Sequence, residues 1–271
     1  MNFSGRSALV TGGAGGLGGA TARRLVELGM GVVAFDPDAD RATAFALELG
    51  ERAVAISGDH NDDDAVEAAI AAARQLGVFS VNVNAAGFAI RTPPTASREG
   101  RPHDMGLFRD MVELHLFGPF NVSRLCAAAF AGNDPDHDGQ RGVIVNTAST
   151  AAYDGQAGQA AYSAAKAGIV GMTLAMARDL AAIGVRACAI APGPIWTPRL
   201  ASAPEAMKAA LIANVAFPKR FGRAEEFASL VEAILRTPFL NGQTIRLDGG
   251  MSTPLTDMGG PAPVAVEPAP R

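Results

Sequence analysis

Cysteine is almost missing from this chain. Its 271 residues hold only Cys126 and Cys188, far apart and without a CxxC pair. That scarcity excludes a disulfide-stapled scaffold and a thiolate metal centre, and it predicts buried free thiols in a reducing compartment. Long hydrophobic runs are missing too: no segment reaches the roughly 20 apolar residues that a membrane helix requires. The chain opens Met1-Asn2-Phe3-Ser4-Gly5 and passes directly into a strand-like segment, without the apolar core of a signal peptide. Charge is sparse, 18% of residues with a formal net of -4, and forms neither a basic stripe nor a dense acidic tail. No nucleic-acid or membrane partner is expected, and the sequence reads as a cytoplasmic protein. Nor is a metal site expected. Asp134-Pro135-Asp136-His137-Asp138-Gly139 imitates the start of a calcium loop, but Val145 stands where the acidic twelfth ligand belongs.

What the chain does have is apolar residues, 48% of the total, enough to bury the core of one large α/β domain. Short β-branched runs at 7–11, 31–36, 52–57, 78–84, 142–148, 185–190 and 243–247 read as strands. Between them, 16–28, 39–49, 63–76, 107–131, 160–182 and 225–235 read as helices, with the aspartates of Asn61-Asp62-Asp63-Asp64 suited to capping the third. Such alternation predicts a doubly wound sheet of about seven parallel strands with helices on both faces, in one dinucleotide-binding and catalytic domain over 1–251. Two segments break the rhythm: a long connection at 88–105, of a length that is usually functional or disordered, and a Pro/Ala-rich tail at 252–271. The segment 200–216 reads as a mobile lid helix beside a substrate pocket.

The first strand empties into Thr11-Gly12-Gly13-Ala14-Gly15-Gly16-Leu17-Gly18. Glycines there allow a tight turn and a close approach of backbone to a pyrophosphate, which then rests on the amides that open the next helix. The second strand ends at Asp36, 18 residues beyond Gly18. A carboxylate at that point accepts from the adenosine ribose hydroxyls and repels a 2′-phosphate, so the expected cofactor is NAD rather than NADP. Neither the glycine turn nor the residues just after Asp36 supply an arginine to receive that phosphate. Asp59, after the third strand, and Asn84-Ala85-Ala86-Gly87, after the fourth, extend a row of small or polar residues along the same sheet edge.

Tyr162 and Lys166 are four residues apart in a helical run and share a face. A free phenol titrates near ~10, and an ammonium beside it favours the phenolate, moving it toward a useful base. Ser149 ends the fifth strand at the ligand-binding edge, where its hydroxyl can hold a substrate oxygen while Tyr162 exchanges the proton.

Together, TGGAGGLG from Thr11 to Gly18, NAAG from Asn84 to Gly87, Ser149, YSAAK from Tyr162 to Lys166, and Pro192-Gly193 with Thr197 resemble the short-chain dehydrogenase/reductase family over residues 4 to 251. The resemblance implies a single-domain Rossmann-type fold and an oxidoreductase that interconverts a secondary alcohol and a ketone. It implies that Tyr162 is the acid/base and that Ser149 positions the substrate. Lys166 would bind the nicotinamide ribose and lower the tyrosine pKa. Ile195 and Thr197, beside Pro192, would hold the carboxamide, and Asp59 and His60 would flank adenine. The second half, from Gln140 to Gly193 and again at FPKRFG and FLNGQTIRLDGG, is similar to an NAD-linked, homotetrameric branch of that family. That likeness implies oxidation of a 3-hydroxyacyl-CoA to the 3-oxoacyl-CoA, with Gln156 and Gln159 facing the substrate. Reduction of a 3-oxoacyl thioester, dehydrogenation of a hydroxysteroid and a weak NAD-binding sensor are the alternatives. Helices 107–131 and 160–182 carry more small and apolar residues than one buried face requires, which suggests association between subunits.

Three positions depart from the family or stay open. His115 stands where most relatives carry an asparagine whose backbone carbonyl holds a catalytic water. The role could survive the change, the imidazole could carry protons itself, or it could simply pack. Arg91, Arg98, Arg101 and His103 either meet coenzyme A phosphates or form a solvated loop. Trp196 either caps the substrate cavity or packs beneath its loop.

Overall fold

The computed structural model describes residues 3–88 and 92–252. Seven parallel strands form one sheet: β1 (Arg6–Thr11), β2 (Gly31–Asp36), β3 (Ala53–Ser57), β4 (Val78–Asn84), β5 (Gly142–Thr147), β6 (Val185–Pro192) and β7 (Thr244–Leu247). Their order is β3-β2-β1-β4-β5-β6-β7, so successive crossovers build outward in opposite directions from the β1/β4 boundary. The strand boundaries lie within two residues of those read from the sequence.

Strands covered on both faces must be apolar on both, and alternate residues divide between two cores. On one side Ala8, Val10, Val83, Val143 and Val145 pack beneath α1 (Gly16–Glu27) and α9 (Ala224–Arg236), joined by Cys188. On the other, Leu9, Val33, Phe35 and Ile144 meet α3 (Asp63–Leu76), α5 (Gly118–Ala131) and α6 (Ala160–Asp179), with Cys126 among them. The two cysteines are free and buried on opposite faces, and burial pushes both thiols up, as expected of unreactive core residues. Helix α2 (Ala39–Leu49) and α3 begin where the sequence places them. Asp62 caps α3 by accepting from the Asp64 amide.

Two helical expectations need correction. The run 107–131 is not one helix: α4 (Met105–Val112) and α5 are joined by a widened π turn, Glu113–Phe117. Its residues are ordinary helix formers, so periodicity could not reveal it. The lid at 200–216 is two pieces, α7 (Pro198–Ala201) and α8 (Glu205–Ala213), because Pro204 cannot continue the first. The connection after β4 ends at Asp104, which caps α4 through the Gly106 amide. The Pro/Ala-rich tail beyond Ser252, together with Ala89, Ile90 and Arg91, lies outside the described residues. No helix among the described residues is long and apolar enough to cross a membrane.

Candidate active site

At the carboxyl edge of the sheet, where strand order reverses, the chain encloses a cavity of about 990 Å³. One end is the glycine turn. Gly12 has φ +60°, and a Cβ there would stand 2.8 Å from the Ala86 Cα. A Cβ at Gly18 would overlap the Gly12 carbonyl, so Gly18 secures helix against turn and does not line the cavity. Gly15 precedes α1 without any side-chain cap, and no acid occupies the first helical turn. The amides and positive dipole end of α1 are thereby left for an anion, and the turn fits a pyrophosphate. Gly18→Ala is expected to lower the unfolding temperature by several degrees and weaken dinucleotide binding at least about tenfold, since overpacking of a fixed backbone costs ~1–3 kcal/mol. A thermal melt and a fluorescence titration read the two effects.

Asp36, 1% exposed, lines the cavity at the adenosine end. Its Oδ1 accepts from Arg41 Nη2 at 2.5 Å and from the Asp38 amide at 3.2 Å. This corrects the expectation that no arginine is near: the turn at Pro37–Asp38 starts α2 and folds Arg41 back onto Asp36, five residues upstream. Asp59 and His60 line the same end, and burial holds the His60 imidazole below its ordinary value. His60 is seated against Gly118, where a Cβ would collide with its ring. Asn84 does not face the cavity. Its amide nitrogen lies within hydrogen-bond distance of Asn82 Oδ1, Asn146 Oδ1, Ser123 Oγ and the Pro119 carbonyl, which share its two N–H groups in a buried knot that ties β4, β5 and α5 together. Ala85 and Gly87, just beyond, do line it.

At the other end stand Ser149, Tyr162 and Lys166, all buried. Ser149 follows β5 and caps a short turn, its Oγ accepting from the Ala151 amide at 3.1 Å. Lys166 Nζ donates to the Thr147 carbonyl at 2.7 Å and lies 5.8 Å from the Tyr162 ring centroid. Burial dominates both titrations. It lowers Lys166 to about 7 and raises the Tyr162 phenol, with the Ser149 hydroxyl opposing the latter. The expected lowering of the phenol by the ammonium is therefore not found, because desolvation outweighs a cation already engaged by a carbonyl.

His115, fully buried in the π turn, meets Tyr162 edge-on with ring centroids 5.0 Å apart. Neither ring nitrogen has a partner of good hydrogen-bond geometry among the described residues. Burial first, then the charges of Lys166 and His60, lower its pKa to about 3. Of the readings left open for His115, the geometry and burial favour a neutral imidazole packed against the tyrosine. The kcat/KM profile of His115→Asn should keep the inflections of the native chain between about pH 5 and 8. A folded pKa below the unfolded one makes stability fall as pH drops from 6.5 toward 3, so the same variant should resist acid unfolding better. Circular dichroism against pH checks the second outcome.

Gln156 and Gln159 line the cavity, as do Leu17, Pro192, Ile195 and Thr197. Trp196 does not: it is 47% exposed and packs on Phe221, 5.6 Å between centroids, facing away. Arg98 and Arg101 are exposed and off the cavity, and His103 Nδ1 pairs with the Pro93 carbonyl. Arg91 lies outside the described residues. The aspartate turn is a solvated loop, with Asp136 accepting from the Asp138 and Gln140 amides. Arg199 and Phe88, which sequence reasoning did not single out, line the substrate end. Nothing in the composition around 199 distinguishes that arginine from a surface one.

The family model described as short chain dehydrogenase matches residues 6–208. The 3-hydroxyacyl-CoA dehydrogenase type-2 of Homo sapiens is 48% identical over 251 residues, 92% of this chain and 96% of that protein. Its namesake in Drosophila melanogaster is 46% identical over 244 residues, 90% and 96% of the two chains. A crystal structure of 3-hydroxyacyl-CoA dehydrogenase type-2 from Mycobacterium avium superposes with a TM-score of 0.90 at 46% identity, covering 93% of this chain and 98% of that one.

Proposed function

The chain belongs to the short-chain dehydrogenase family, and from that premise we propose that it is an NAD-linked dehydrogenase converting a 3-hydroxyacyl-CoA to the 3-oxoacyl-CoA. The observation that carries the reading is one cavity holding the glycine turn and Asp36 at one end and Ser149, Tyr162 and Lys166 at the other. The names of the human and fly relatives support the acyl-CoA substrate class.

NAD, when bound, supplies the acceptor for hydride from the carbinol carbon. The amides around Gly12, Gly15, Gly16 and Leu17 hold its pyrophosphate, and Asp36 takes the adenosine ribose hydroxyls. Asp59 and His60 flank adenine, while Ile195 and Thr197, after Pro192, hold the carboxamide. Ser149 donates its hydroxyl hydrogen to the substrate oxygen, fixing it beside Tyr162. Tyr162 takes the alcohol proton on its phenolic oxygen as hydride leaves. Lys166, held by the Thr147 carbonyl, meets the nicotinamide ribose. Gln156 and Gln159 border the acyl group. Buried free thiols suit a cytoplasmic setting. Phe117 and Phe120, 57% and 48% exposed around the start of α5, are apolar surface that a homotetramer would cover. Steady-state assays with NAD or NADP against 3-hydroxyacyl-CoAs, hydroxysteroids and simple alcohols test the assignment. The highest kcat/KM should belong to NAD with a 3-hydroxyacyl-CoA. Preference for NADP or for steroids would overturn it.

A further inference from the structure

Three cationic side chains, Arg41, Lys166 and Arg199, line the cavity. Two are occupied. Arg41 is paired with Asp36 and Asp38, and buried Lys166 is held by the Thr147 carbonyl. The substrate end has one acid, Asp154, and Arg246 holds it at 3.1 Å. Arg199 differs from all of these. It sits on α7 at the cavity mouth, exposed, and no carboxylate pairs with it among the described residues. Its guanidinium carbon lies 3.6 Å from the Phe88 ring centroid. Stacking on an aromatic face orients the plane of the group without consuming its N–H donors. Leu200, Ala203, Met207 and Leu211 line the cavity next to it with apolar surface.

An apolar wall beside an oriented guanidinium that pairs with no carboxylate among the described residues suits a substrate that joins apolar surface to an anionic group. Building on the acyl-CoA reading, we propose that Arg199, held in place by Phe88, anchors the phosphates of the coenzyme A portion. Planar bidentate donation is what phosphate oxygens accept best. Of the two readings left open for Arg98 and Arg101, phosphate contact or a solvated loop, their exposure off the cavity fits the loop, and Arg199 takes the phosphates instead.

The test compares the native chain with Arg199→Gln at saturating NAD. The substrates are an L-3-hydroxyacyl-CoA and the matching N-acetylcysteamine thioester, which has no phosphate. The CoA substrate should lose about tenfold or more in kcat/KM, through KM, because a charge-assisted contact is removed. The truncated thioester should change less than about twofold, and Arg199→Lys should recover part of the loss. Equal losses on both substrates, or none on either, would overturn the anchor. A second readout is independent of turnover: titration of coenzyme A into NAD-loaded protein by calorimetry. Weaker binding to Arg199→Gln supports the anchor even if acyl-CoA is not oxidised, an outcome that would sink the functional reading alone. Equal binding by both proteins overturns the anchor and leaves that reading standing.

Discussion

Tyr162→Phe is expected to lower kcat for alcohol oxidation about a thousandfold while leaving the Kd for NAD within about twofold. The substitution removes one oxygen from a ring buried between Ser149, Lys166 and His115, so packing survives and only the proton acceptor is lost. The pH dependence follows from the same group. Burial raises the phenol above its ordinary value, and oxidation requires the phenolate. The oxidation rate should therefore climb with pH into the alkaline range, whereas ketone reduction, which needs the protonated phenol, should hold through neutrality and fall only above it. Loss of the climb in Tyr162→Phe, measured on the residual rate, would assign the titration to this residue. A variant retaining a tenth of native activity would remove Tyr162 from the chemistry.

Asp36→Ser should invert cofactor preference. On the proposed NAD assignment the Asp36 carboxylate would repel a 2′-phosphate, and it engages Arg41 at 2.5 Å. Removing it takes away an acceptor for the ribose hydroxyls and leaves the Arg41 guanidinium, beside that position, held only by the exposed Asp38 at 3.6 Å. Each change is a charge-assisted interaction, so kcat/KM should fall about ten- to a hundredfold with NAD and rise by a similar factor with NADP. Adding Arg41→Gln should cancel the NADP gain without restoring NAD. If the single variant still prefers NAD, Arg41 does not reach the phosphate position and the contact with Asp36 is only structural.

The parts of this molecule that sequence made legible are those set by short-range chemistry. Val32 to Phe35 and Val143 to Val145 are strands because residues covered on both faces must be apolar in succession. Asp62 caps α3 because a short carboxylate there can reach the Asp64 amide. Tyr162 and Lys166 share a face by helical spacing alone, and Ser149 falls at their edge because it follows the carboxyl end of β5. What stayed hidden depends on tertiary approach. The π turn at Glu113–Phe117 leaves no compositional trace, yet it brings His115 against Tyr162. Arg41 needs the turn after Asp36 to fold back, and Arg199 needs the lid to carry it over Phe88. Asn84 is polar for the sake of the sheet rather than the cofactor. Trp196 lies off the cavity, its ring packed on Phe221 across a contact that only the folded chain makes.

Hydride transfer from a carbinol carbon is the central claim, and an L-3-hydroxyacyl-CoA deuterated at C3 tests it most directly. Turnover with NAD should slow by a primary isotope effect, and mass spectrometry should find the deuterium in the reduced nicotinamide. Deuterium appearing in solvent, with none in the cofactor, would contradict it.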